Sequence, residues 1–211
     1  MPRQVDHVGR RRLIAEAVCR LADERGLEGV TLRDVAAHAQ VSMGAVQRCF
    51  RTKEEMLVFA LEHVGERISE RVRARLVRSP AQSAGTALGH AVTEVSLLGE
   101  EHRAEARVWL AFVAQAAVSE ALAGTLRANY AALHEAFTRL VAEAGEDADH
   151  AVPLDPQREA STLLALADGL TTHVLIGHLT PQEAQTVLHE HLVRLWERPA
   201  PAPRPHEDRT D

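Results

Sequence analysis

The sequence predicts an all-α protein: an N-terminal three-helix helix-turn-helix domain over residues 1–53, a larger helical domain over 54–198, and a proline-rich tail over 199–211. Three observations carry this. Alanine and leucine dominate while aromatics make up 3% of the chain, which favours helices over strands. Apolar residues recur three and four apart in segment after segment, the period of a helix with one buried face. Helix-start signals at Thr31, Ser42, Thr52, Ser119, Asp155-Pro156 and Thr180-Pro181 punctuate those segments. At 211 residues the chain can hold one sizeable core, or a small domain beside a larger one.

Residues 1–7 are polar and expected to be mobile. A helix follows from about Val8, with Leu13, Ile14, Ala17, Val18 and Leu21 as its apolar stripe and Gly26 as its stop. Arg10, Arg11 and Arg12 crowd its start, where positive charge opposes the helix dipole. Thr31 caps the next, short helix, and Asp34 completes a reciprocal capping box. Leu32, Val35, Ala36 and Ala39 form its inner face. After a break at Gln40-Val41, Ser42 caps a second short helix whose Val46 and Phe50, four apart, point inward. Met43, Gly44, Gln47 and Arg48 are left on the outside. Two such helices joined by a tight turn make a helix-turn-helix, whose second helix can lie in a DNA major groove.

Thr52 and Glu55 form the capping box of a long helix. Its stripe of Met56, Leu57, Ala60, Leu61, Val64, Ile68, Val72 and Leu76 runs to about Arg78, where Ser79-Pro80 ends it. Further helices are expected near 82–98, 101–117, 119–144, 156–177 and 181–197. The polar segment 145–155 is expected to be a loop, and the tail from Pro199 to be disordered.

The formal net charge of −6 argues against nucleic-acid binding until it is divided along the chain. Residues 1–53 hold ten Lys/Arg against six Asp/Glu, and the remainder holds fourteen against twenty-four. A basic module on an acidic body suits a DNA-binding protein, because affinity rests on neutralising phosphates. Gln47 can pair bidentately with adenine and Arg48 with guanine. Arg33, on the preceding helix, can reach a base edge or the backbone. The arginines at 10–12 read as backbone or minor-groove contacts. Cys49 alternates with inward positions and reads as packing.

Across residues 31–56 the chain resembles the DNA-binding motif of TetR-family transcriptional regulators. Thr31, Val35, Ala36, Ala39, Val41, Ser42, Gly44, Val46, Phe50, Thr52, Lys53, Glu54 and Met56 fall in register with the family pattern. Gln40 stands where that pattern has a turn glycine, Gln47 where it has tyrosine, and Cys49 where it has histidine or tyrosine. Gln40 implies strain, or a turn closed without a positive φ. The resemblance implies DNA contacts from Arg33, Ser42, Met43, Gly44, Gln47, Arg48 and Lys53, the last a phosphate contact at a helix N-terminus. The run 105–196, with its WLAFVAQA and LLALADGL segments, is similar to the C-terminal domain of the BetI-type subgroup. That likeness implies a small-molecule effector held in the larger domain, without naming it.

For that site the unusual residues are Trp109, Phe112, Gln115, Asn129, Tyr130, His134 and Phe137: apolar walls with a few polar groups. The aromatic members read equally as core. Leu163, Leu166, Leu170, Val174, Leu188, Leu192 and Leu195 offer a stripe for a homodimer built as a four-helix bundle from the last two helices. Ala165, Ala167 and Gly169 would permit close approach.

Other classes find less support. There is no glycine-rich phosphate loop, nucleophile elbow or paired-carboxylate motif, so no catalytic residue is expected. Twelve histidines invite a metal, but His173/His178 and His189/His191 lack ligand spacing, so no metal site or cofactor is expected. No apolar run approaches a membrane span, residues 1–12 lack the apolar core of a secretory signal, and two cysteines make no disulfide framework. The cytoplasm is the expected compartment. The leading expectation is a ligand-responsive homodimeric repressor bound to a palindromic DNA operator and released by a small-molecule effector. The alternatives are an activator or architectural DNA-binding protein of the same fold, and an all-α ligand-binding protein or enzyme with a vestigial helix-turn-helix.

Overall fold

The computed structural model describes residues 3–80, 83–146 and 154–196, and among these the chain is helical, with no strand. α1 spans Arg3–Arg25, α2 Leu32–His38, α3 Met43–Cys49, α4 Lys53–Arg78 and α5 Ala84–Val95. A 3-10 turn at Glu100–His102 leads into α6, Arg103–Ala116, followed by α7, Glu120–Glu146, α8, Pro156–Leu175, and α9, Pro181–Trp196. No described helix is long and apolar enough to cross a membrane. The expected tail and most of the 145–155 loop lie outside the described residues.

Local chemistry sets the helix ends. Thr31 Oγ1 accepts from the Asp34 amide at 3.2 Å while Asp34 Oδ2 accepts from the Thr31 amide at 3.2 Å, closing the box that starts α2. Thr180 and Glu183 do the same at α9. Asp155 caps α8 with Pro156 in its first turn. At α4 only half the expected box forms. Thr52 Oγ1 accepts from the Glu55 amide at 3.0 Å, but the Glu55 carboxylate accepts from the Arg51 amide instead, at 2.8 Å. The turn between α2 and α3 is closed at a positive φ: Gln40 sits at 54°, its amide donating to Ala37 O and that of Val41 to Ala36 O. This is a Schellman closure, made with a residue that has a Cβ.

α1 begins five residues before Val8, since residues 3–8 contain no proline or glycine to stop it. Its buried face is Ile14, Ala15, Ala17, Val18, Leu21 and Ala22, whereas Leu13, expected inside, is 40% exposed. α1 packs against α2 and α3 as well as α4 and α6, so its buried stripe is centred between the two contacts and Leu13 falls on the flank.

Two cores result. The first joins α1–α4 to α6 and the start of α7 through Leu21, Val46, Phe50, Met56, Leu61 and Phe112. The second joins α5, α7, α8 and α9 through Leu88, Phe137, Val141, Leu163 and Leu188. The first runs without interruption past Lys53, where the sequence divides the two domains. The stripe expected at a dimer interface faces the interior of one chain instead. Leu163, Leu170, Val174, Leu188 and Leu195 are at most 7% exposed within one chain, and Leu166 and Leu192 pack against the same core. They hold the chain's own bundle together. The outer face of α8 carries Ala165 and Gly169, Ile176 stands exposed just past its end, and α9 exposes Val187.

Candidate functional site

The inward residues of the helix-turn-helix fix what faces out. Val35 and Ala36 of α2, and Ala45, Val46 and Cys49 of α3, are buried where these two helices pack against α1 and against each other, with Phe50 closing the end of α3. Helical geometry then leaves Arg33, Ser42, Met43, Gln47 and Arg48 exposed, with Gly44 half-buried between them. Ser42 Oγ caps α3 through the Ala45 amide at 3.2 Å. The Arg48 guanidinium folds back alongside Gly44, whose missing side chain leaves it room. Lys53 stands in the first turn of α4, its Nζ donating to the Glu28 carbonyl at 3.4 Å.

The neighbouring arginine Arg11 does something else. Its guanidinium lies between the rings of Phe50 and Phe59, 4.6 Å and 4.3 Å from their centroids. It joins α1 to the far end of α3 and to α4 by cation–π contact rather than reaching for phosphate.

In the larger body, α4, α6, α7 and α8 enclose a cavity of about 330 Å³. Three of the expected residues, Trp109, Asn129 and Tyr130, line it. Four do not. Phe112 and Phe137 are at most 1% exposed inside the first and second cores, because each faces the apolar side of its helix. Gln115 lies beyond the cavity toward the end of α6. His134 is held at the contact of α7 with α8, its Nε2 3.0 Å from the Gln157 carbonyl and from Ser161 Oγ.

The residue that organises the cavity is Asp168, which sequence reasoning missed. Tyr130 donates its hydroxyl to Asp168 Oδ2 at 2.5 Å, and Trp109 Nε1 approaches Asp168 Oδ1 at 3.4 Å. The two rings meet edge to face with centroids 5.9 Å apart. Burial pushes the Asp168 carboxyl above the usual carboxylate range, against the pull of these two donors. Burial, then the bond to Asp168, raises the Tyr130 hydroxyl too, so it stays a donor. The available signal was that Asp168 is the one acid in the apolar run from Ala160 to Val174. Gly65 and Glu66 of α4 were missed as well. A Cβ at Gly65 would come within 3.1 Å of Asn129 Nδ2, a buried nitrogen with no hydrogen-bond partner. The cavity wall therefore holds two acids, Glu66 and Asp168, two aromatic rings, and no Lys or Arg.

Residues 84–197 match the family model described as BetI-type transcriptional repressor, C-terminal, and residues 14–58 match that of bacterial regulatory proteins, tetR family. The chain is 34% identical over 178 residues to the HTH-type transcriptional regulator PksA of Bacillus subtilis (strain 168), with 83% of each chain covered. It is 33% identical over 167 residues to the HTH-type transcriptional regulator BetI of Burkholderia cenocepacia (strain HI2424), covering 76% of this chain and 79% of that one. A crystal structure of a transcriptional regulator from Rhodococcus sp. Rha1 superposes with a TM-score of 0.77 at 27% identity, covering 92% of this chain and 99% of that one.

Proposed function

The chain belongs to the TetR family of bacterial transcriptional regulators, and we propose that it acts there as a homodimeric repressor that leaves a palindromic operator when a small cationic molecule enters the effector cavity. The observation that carries this is α4. One rigid helix holds Lys53 beside the recognition helix α3 and, three to four turns on, lends Gly65, Glu66, Ile68 and Ser69 to the cavity wall. A ligand that displaces α4 at the cavity moves the start of that helix, and with it α3, relative to the same pair in the partner. The charge of the wall supports a cation. Glu66 and Asp168 repel an anion, while the faces of Trp109 and Tyr130 attract positive charge. Asn129 Nδ2 offers a donor to a second, oxygen-bearing part of the ligand.

On the DNA side, Gln47 and Arg48 are the base readers, Lys53 holds phosphate, and Arg33, Ser42, Met43 and Gly44 complete the contact face. For the dimer, the exposed faces of α8 and α9 are the proposed contact, with Ala165 and Gly169 allowing close helix approach. The test is selection from random duplexes. It should recover a pseudo-palindrome whose half-sites are about 34–36 Å apart or somewhat more. Gln47→Ala and Arg48→Ala should each cost roughly 1–3 kcal/mol on that duplex and little on random DNA. Lys53→Ala should weaken all duplexes alike and flatten the salt dependence. If both classes of variant behave identically on specific and random DNA, α3 is not the reading helix. Coupling must also be reciprocal: a cation that loosens the operator must bind the operator complex more weakly by the same factor.

A further inference from the structure

Behind the effector cavity, across α4 and α6, lies a second one of about 370 Å³. It sits where α1 of the helix-turn-helix unit meets the rest of the chain. Each bounding helix gives it one stripe: Cys19 and Arg20 from α1, His63 and Arg67 from α4, Glu105 and Val108 from α6. Opposite faces of the same two turns of α4 thus line the two cavities, and Val108 and Trp109 of α6 divide between them likewise.

Charge in this second cavity is arranged by depth. The Glu105 side chain is only 8% exposed and its Oε1 has no hydrogen-bond partner. Arg71 Nη1 takes the other oxygen, Oε2, at 2.5 Å, and Arg67 Nε stands 3.5 Å from Oε1 without a hydrogen bond. A buried carboxylate oxygen left without a donor is costly, and a ligand N–H would relieve it. Toward the mouth stand two cations, Arg20, which is exposed, and Arg67, whose side chain is 49% exposed. The acids there are Glu16, also exposed, and Asp23, which is engaged by Arg107. The Cys19 thiol is pushed up to about 11 by burial and the His63 ring is held below its usual range by burial and Arg67, so both are uncharged at neutral pH. An anion alone would meet Glu105 on the floor, and a cation alone would pass two arginines at the rim. A quaternary ammonium brings charge but no donor.

We propose that this cavity is a second small-molecule site, which takes an α-amino acid: the ammonium donates to Glu105 Oε1 on the floor and the carboxylate lies against Arg20 and Arg67 at the rim. Its occupant braces α1 against α6 and presses on α4 from the side opposite the effector. Operator affinity therefore responds to it, and the operator reciprocally changes amino-acid affinity.

The test uses the full chain and the twenty common L-amino acids singly at millimolar concentration, read first by thermal shift and then by calorimetry. At least one should bind once per chain, and its amine-only and acid-only analogues should bind at least about tenfold more weakly. Ala104→Trp, at the exposed mouth, should abolish binding without unfolding the protein, and Glu105→Gln should weaken it. Asp168→Asn, in the effector cavity, should leave it unchanged. The proposal is overturned if no amino acid binds, if either half-molecule binds as well, or if Asp168→Asn abolishes binding while Ala104→Trp spares it. The last outcome would place the amino acid in the effector cavity and leave the repressor reading intact.

Discussion

Arg48 and Asp168 mark the limits of what single residues disclose. That Arg48 faces outward was legible because helical spacing settles which side of α3 is out once Val46 and Phe50 are in. Asp168 was not, since its partners Tyr130 and Trp109 are 38 and 59 residues away and only packing of three helices brings them together. Arg11 is a third kind of case: the sequence offers a basic cluster beside a DNA motif, while the space between Phe50 and Phe59 claims the middle arginine. One further residue makes a pH prediction. Burial, then Arg67, depresses the His63 pKa below 6.5, with Glu16 and Glu66 opposing and Arg12 reinforcing the shift. A depressed histidine binds its proton more readily when unfolded, so stability is full above about pH 6.5 and falls as pH drops through the folded value. Melting temperatures at pH 7.5 and 5.5 should differ less in His63→Gln than in the wild type. An equal difference in both proteins would remove His63 from this account.

At the scale of elements, helix starts were the most legible feature because a cap is a local bargain among four consecutive residues. Thr31, Asp155 and Thr180 each settle it where their sequences indicate. Glu55 shows how far that locality reaches: the carboxylate has two amides within its grasp and takes Arg51 over Thr52. Gln40 is where the sequence left two outcomes open, and the positive φ decides between them. An L side chain in that region costs about 1–2 kcal/mol relative to glycine. Glycine also adds freedom to the unfolded chain, which offsets part of the gain. Gln40→Gly should therefore raise unfolding stability by up to about 1 kcal/mol in urea titration. No change, or a loss, would mean that the Gln40 side chain contributes contacts outweighing its strained backbone.

The whole molecule explains the misread interface stripe. An apolar face on α8 or α9 announces that the helix packs, but the same leucines serve a partner's core or the chain's own. Here α5 and α7 already stand against that face, so Leu163, Leu170 and Leu188 are spent within one chain. The side that would be left for a second copy is the opposite one, where a Cβ added at Gly169 would meet nothing within 4 Å and Ile176 is 70% exposed. Gly169→Glu should therefore give monomers in sedimentation equilibrium that keep their helical spectrum and lose operator binding. Retention of a dimer would move the interface elsewhere. The all-α class was legible from composition and periodicity, whereas the arrangement of the two cores was not, because each draws on helices distant in sequence.

The uninterrupted first core has a consequence for modularity. The division expected from the sequence falls at Lys53, and a protein engineer following it would cut there to graft the helix-turn-helix onto another sensor. Yet Phe50, Leu21 and Val46 share one packed interior with Met56, Leu61 and Phe112. A head transplanted without α4 and the facing side of α6 would arrive with half its interior bare. Exchange between such proteins is thus constrained to partners whose α4 and α6 already fit, and a lineage can trade heads only as fast as those inner surfaces stay compatible.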